Sequence, residues 1–280
     1  MAEPVKVAVT RAAGPTAYSL LYSIANGEVC GNQQPVALAL LDSSSMLGVL
    51  SGVAMELQDC AFQLLQGVTV TDRDEVGFVG ADIAVLLDAV PAAQDGAEPS
   101  DLWKANVRRF RAHGRALDTY AKKSVKVLVA GNSANTNCLV AMISAPSIPA
   151  ENFTCLTRRD RDRDRDQAFL YWEAPVIRAG ARTFPNSASV ARATCDHLCA
   201  WWSGTKQGEW MAMGVVSDRN GYGIPEGLIY PFPVTVQAGR WHIIPGLVLP
   251  PLLRQNMALC ARELLRERDR ALASLVNSHL

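Results

Sequence analysis

Residues 5–18 read VKVAVTRAAGPTAY, and this stretch decides the fold. Val5, Val7 and Val9 alternate with Lys6, Ala8 and Thr10, the period-two pattern of a short strand with β-branched residues on one face. Gly14 then opens a segment in which Tyr18, Leu21, Tyr22 and Ala25 fall at helical spacing, and Gly27 stops the run. Strand, glycine turn and helix in that order make the first unit of a dinucleotide-binding sheet, where N–H groups at the helix start hold a pyrophosphate. A second strand, Val36–Leu41, ends on Asp42, a carboxylate suited to accept a hydrogen bond from a ribose hydroxyl.

The turn departs from its fingerprint. The pattern G-x-x-G-x-x-G/A is met by Arg11, Gly14 and Ala17, so an arginine stands where the first glycine belongs. If that position takes a positive φ, a side chain there is strained. Pro15 suits a first helical turn but removes one N–H that would point at phosphate. Two readings follow. The turn is either a weakened nucleotide cradle, with Arg11 as a replacement phosphate contact, or a strand–helix unit kept only for folding.

The chain has 280 residues, 49% of them apolar, enough for one large domain or two smaller ones. Its 27 basic and 27 acidic residues cancel, which removes the electrostatic case for nucleic acid or an anionic membrane as partner. No apolar run approaches a membrane span, and the opening MAEPVK lacks the character of a signal peptide. Seven scattered cysteines, an odd number without metal-ligand spacing, read as reduced thiols of a cytoplasmic protein. Cys195 and Cys199 flank His197, but no fourth ligand is evident, which argues against zinc.

Further along, residues 46–60 form an amphipathic helix with apolar positions 46, 49, 50, 53 and 57. Short strands follow at 68–71 and 81–87, then the turn-rich PAAQDGAEPSD at 91–101, a helix over 102–121 and a strand at 125–130 that closes on GNSANTN. Strands alternating with helices at this spacing predict an α/β, Rossmann-like doubly wound parallel sheet over residues 1–155. Near the start of residues 156–280 is the run RRDRDRDRD at 158–166, read as a solvated helix start or a disordered link. This half continues with a helix over 187–202, two strands joined by a long turn at 211–216 and 228–236, and a terminal helix over 252–277.

Several segments, in order, resemble the cytosolic-type malate dehydrogenases of the lactate/malate dehydrogenase family. They include AAGPTAYSLLYSI, GVAMELQDCA at 52–61, KAN at 104–106, KKSVKVLVAGNSANTNCL at 122–139, CDH at 195–197 and YGIPEGLIYPFPV at 222–234. The resemblance implies an NAD-binding domain followed by an α+β catalytic domain, truncated here because only 33 residues lie between Arg163 and His197 where the resemblance implies a much longer stretch. It places NAD over Arg11, Gly14 and Ala17, with Asp42 on the adenosine ribose and Asn106, Ala130, Gly131 and Asn132 along the nicotinamide side. It assigns Asn132 and Arg163 to a dicarboxylate substrate and Asp160 to the catalytic aspartate. It also implies a homodimer, or a heterodimer with an intact relative, through the helix at 46–60.

The departures matter as much. The resemblance implies a histidine general base in a WGNHSS-like segment, and this sequence holds only His113, His197, His242 and His279, none of them in such a segment. The substrate loop lacks Arg and Lys between Val90 and Lys104 and carries Asp95, Glu98 and Asp101 instead, which repel a dicarboxylate. Loss of a general base costs about 10²–10⁴ in rate. The expectation is a family member impaired in malate–oxaloacetate interconversion. The alternatives are an active 2-hydroxy acid dehydrogenase with an altered site, or a decayed or alternatively spliced product.

Overall fold

The computed structural model describes residues 2–87, 99–157 and 187–277. One nine-stranded sheet runs through it, in the order β3-β2-β1-β4-β5-β6-β7-β8-β9. The strands β1 (Val5–Thr10), β2 (Val36–Leu41), β3 (Leu65–Thr71), β4 (Ile83–Leu87), β5 (Lys126–Ala130) and β6 (Phe153–Cys155) are parallel to one another. The strands β7 (Met211–Val216), β8 (Ile229–Gln237) and β9 (Arg240–Ile243) continue it antiparallel, joined at the pair Cys155 and Gly214. Parallel strands buried on both faces read as unbroken apolar runs, and every residue of β4 is buried. The chain leaves β1 towards β2 on one side and reaches β4 on the other, so the strand order reverses between β1 and β4. Ligand crevices of open α/β sheets lie beyond the carboxyl ends of the strands at such a point.

Helices cover both faces: α1 (Pro15–Ala25), α2 (Leu47–Asp59), the single turn α3 (Asp74–Gly77), α4 (Pro99–Tyr120), α5 (Ala134–Ile143), α6 (Ser187–Ser203) and α7 (Pro251–Asn277). On one face α1 and α6 pack together, with Leu20, Leu21 and Ile24 meeting Ala191, Cys195 and Leu198 over β1 and β2. On the other face α4 and α5 cover β4 and β5 through Val107, Phe110, Leu117, Cys138 and Val140. Side chains of this size contribute roughly 1.5–3 kcal/mol each on full burial. Gly114 is what lets α4 and α5 approach: a Cβ there would stand 2.4 Å from the Ala141 carbonyl oxygen. The second half makes its own core, where Phe232, Val234 and Tyr230 of the antiparallel strands meet Leu253, Met257 and Ala261 of α7.

The parallel first half and the two strands expected at 211–216 and 228–236 are present, the latter paired antiparallel. Four elements are additional: α3, α5, β6 and β9. The segment 131–137 reads as a strand-closing loop, yet α5 begins within it. Seven of its ten residues, Ala134 and Thr136 to Ala141, are buried and only Ile143 at its end is exposed, so α5 shows no amphipathic stripe. The helix expected over 46–60 is preceded by a 3₁₀ turn, Ser44–Met46, and starts at Leu47. No helix among the described residues is long and apolar enough to cross a membrane.

Candidate functional site

At the end of β1 the backbone turns at Arg11, whose φ is 50°. The position does require the left-handed region, and an arginine holds it at a cost of order 1–2 kcal/mol. The turn is fixed by the Ala12 N–H donating to the Leu41 carbonyl at 3.1 Å and the Gly14 N–H donating to the Arg11 carbonyl at 3.0 Å. Gly14 is the N-cap of α1, with extended backbone and no side-chain cap, and Pro15 follows in the first turn. A Cβ on Gly14 would lie 3.2 Å from the Arg11 carbonyl oxygen, so a side chain there crowds the turn. Ala17 is wholly buried against the sheet, where its small side chain lets α1 sit close.

Asp42 reaches this turn from β2. Its Oδ2 accepts the Ala13 N–H at 3.2 Å and its Oδ1 accepts the Ser43 N–H at 2.8 Å. Two backbone donors thus orient a carboxylate that keeps lone pairs for a ribose hydroxyl. Across the switch point, the Leu87 N–H donates to Thr10 Oγ1 at 3.0 Å and locks the end of β4 to the end of β1.

The other half of the crevice is the turn between β5 and α5. Ala130 is buried, Gly131 has φ 139°, Asn132 is exposed and Ser133 takes φ 49°. The Asn137 side-chain amide donates to the Asn132 carbonyl at 3.0 Å and holds the turn against the helix. Asn106 lies half-buried on α4, beside buried Val107. The structure therefore gathers Arg11, Gly14 and Asp42 at one turn, and sets Ala130, Gly131 and Asn132 at the same end of the sheet. Asp160 and Arg163 lie outside the described residues, as do the loop residues Asp95 and Glu98.

Two of the three described histidines have partners elsewhere in the fold. His197 is 1% exposed on α6, its Nε2 is 3.0 Å from Thr154 Oγ1 of β6, and burial pulls its pKa down to about 3. His113 Nδ1 is 2.8 Å from Asp74 Oδ2, with its ring edge-on to Phe78 and Phe110. His242 stands exposed on the edge strand β9. The cysteines are all free thiols. Burial pushes those of Cys30 and Cys195 up to about 12, which makes poor nucleophiles and poor ligands. Among the described residues no group of three or more His, Cys, Asp or Glu is placed to hold a metal ion.

A positive-φ turn, a helix start and a backbone-oriented carboxylate just past the next strand fit a dinucleotide. The arrangement is that of an α/β nucleotide-binding oxidoreductase fold. The chain belongs to the lactate/malate dehydrogenase family: the NAD binding domain of that family matches residues 5–154 and its alpha/beta C-terminal domain matches residues 107–275. It is 43% identical to the cytoplasmic malate dehydrogenase of Bos taurus over 337 residues, covering 99% of this chain and 100% of that protein. The human cytoplasmic enzyme is also 43% identical, over 330 residues, 97% of this chain and 98% of that protein. Among solved structures, the malate dehydrogenase of Naegleria fowleri superimposes with a TM-score of 0.86 at 31% identity, covering 98% of this chain and 99% of that one. Trichomonas vaginalis lactate dehydrogenase in complex with NADH and oxamate superimposes with a TM-score of 0.85 at 29% identity, over 98% and 99%. The aligned lengths exceed the 280 residues present here, so these relatives carry residues inside the matched span that this chain lacks.

Proposed function

We propose that this chain is a malate dehydrogenase family protein that holds NAD but is impaired in interconverting malate and oxaloacetate. The observation that carries the reading is the fate of the histidines. The one deepest in the fold, His197, is buried, neutral and bonded to Thr154, and leaving that place would unpack α6 from α1.

Residues 1–155 would serve as the cofactor half and 156–280 as the substrate half. Thr16 and Ala17 supply first-turn N–H groups towards the pyrophosphate, Arg11 adds a cation in place of the missing glycine, and Asp42 takes the ribose hydroxyls. Ala130, Gly131, Asn132 and Asn106 would line the nicotinamide side, with Ala17 setting the distance of α1. NAD, when bound, supplies the hydride acceptor. The chain must then remove the substrate hydroxyl proton and neutralise two carboxylates. Asp160 without a histidine partner is too weak a base for an alcohol proton at neutral pH. Arg163 would hold one carboxylate, while the other meets an acidic loop. The closely similar relatives are cytoplasmic enzymes, which supports the same compartment here.

The outer side of α2 supports self-association, as a homodimer or a heterodimer with an intact relative. Val49 is 48% and Met55 64% exposed there. Gly48 and Gly52 beside them leave open space where a partner helix would sit.

The test is NADH titration by calorimetry together with steady-state turnover of oxaloacetate. Measurable binding with turnover well below the ordinary range of about 1–10³ per second is expected. Turnover inside that range, abolished by Asp160→Asn, would show the reading to be wrong.

A further inference from the structure

The end of α7 is fastened around the β5–α5 turn. Glu267 places a carboxylate oxygen 2.6 Å from Thr136 Oγ1, in the first turn of α5. One turn on, the Arg270 guanidinium lies 4.6 Å over the Trp103 ring at the start of α4. Ala271 is buried among residues of α4 and α5. A carboxylate near the start of a helix is favoured by the exposed N–H groups there. The turn so held carries two left-handed residues, Gly131 and Ser133, and Ser133 gives α5 no side-chain cap.

We propose that Glu267 is a positioning residue for Asn132. A threonine inside a helix that lacks another partner donates its hydroxyl to the carbonyl four residues back. Thr136 lies in the first turn, so the carbonyls three and four residues back are those of Ser133 and Asn132, and they already accept the Asn137 N–H at 2.9 Å and the Asn137 side-chain amide at 3.0 Å. Thr136 is 3% exposed, so its hydroxyl must find an acceptor within the protein. Glu267 takes it, leaves the Asn132 carbonyl to Asn137, and keeps the turn in the conformation that aims the Asn132 side chain outward. Through this contact the last turns of the chain set the geometry of the nicotinamide-side loop. The role of Asn132 towards cofactor rests on the proposed function above; the effect of Glu267 on the turn does not.

The experiment compares Glu267→Leu, Glu267→Gln, Thr136→Val and the double variant Glu267→Leu/Thr136→Val in the full chain. Amide hydrogen exchange over residues 131–137 and NADH affinity are the two readouts. Glu267→Leu is expected to speed exchange in that turn about tenfold and weaken NADH by a similar factor, the size of losing one hydrogen bond to a charged acceptor. Glu267→Gln, whose amide oxygen still accepts, stays within about threefold on the same reasoning. Thr136→Val in the leucine background removes the competing hydroxyl and brings the turn back towards its original exchange rate. Unchanged exchange in Glu267→Leu, faster exchange spread evenly over the molecule, or no recovery in the double variant would each overturn the inference. If the unsubstituted protein binds no NADH yet the local exchange pattern holds, the nucleotide reading fails and the positioning role stands.

Discussion

Lowering the pH puts the burial of His197 to a direct test. In the unfolded chain the imidazole titrates near its ordinary value of 6.5, whereas in the fold burial drops it to about 3. Between those values the unfolded chain binds a proton that the folded chain refuses. Stability from this site is therefore intact above 6.5, falls as the pH falls, and levels off near 3. The slope is at most about 1.4 kcal/mol per pH unit, so going from about pH 7 to about pH 5 removes about 2 kcal/mol. The assay is urea unfolding at the two pH values for the original chain and for His197→Gln, whose amide keeps a polar group near Thr154 and cannot titrate. The variant is expected to start less stable, because its packing is imperfect, and to lose about 2 kcal/mol less on acidification. Equal losses in the two proteins would mean that His197 is hydrated in the fold. His197 would then be available as a general base, since the same desolvation keeps it neutral and out of reach.

Pro15→Ala restores an N–H at the start of α1, so NADH should bind more tightly, by about tenfold for one charge-assisted bond; an unchanged affinity in calorimetry would dismiss the idea that the proline weakens the cradle. Met55→Glu should convert a dimer to a monomer in light scattering at micromolar concentration, and a monomeric mass before substitution would remove the association proposal. Basic residues introduced at Asp95 and Glu98 should leave oxaloacetate turnover nearly unchanged, because groups that act as a unit are non-additive; recovery of ordinary turnover by loop repair alone would contradict the missing-base argument.

How much was legible depended on how local each cause is. The strand at Val5–Thr10, the turn at Gly14 and the carboxylate at Asp42 follow from nearest neighbours in the chain, so period and turn chemistry fix them. The strain at Arg11 was also legible, because a left-handed position is a property of one residue; its φ of 50° was inferable from the glycine that belongs there. The helix α5 was not legible, since a helix buried along most of its length has no stripe. The single-residue join of Cys155 to Gly214, which fuses the parallel and antiparallel parts into one sheet, depends on pairing between distant segments. The state of His197 belongs to the same group: a histidine four residues before a tryptophan could face water, a metal or a core. Only the packing of α6 against the sheet removed its water and gave it Thr154 as partner. Sequence by itself determined the elements and the residue types at the cofactor turn, because those arise from backbone sterics and local periodicity. Tertiary structure alone decided which polar groups are desolvated and which of them meet, because burial and hydrogen-bond partnership come from chain segments far apart in sequence.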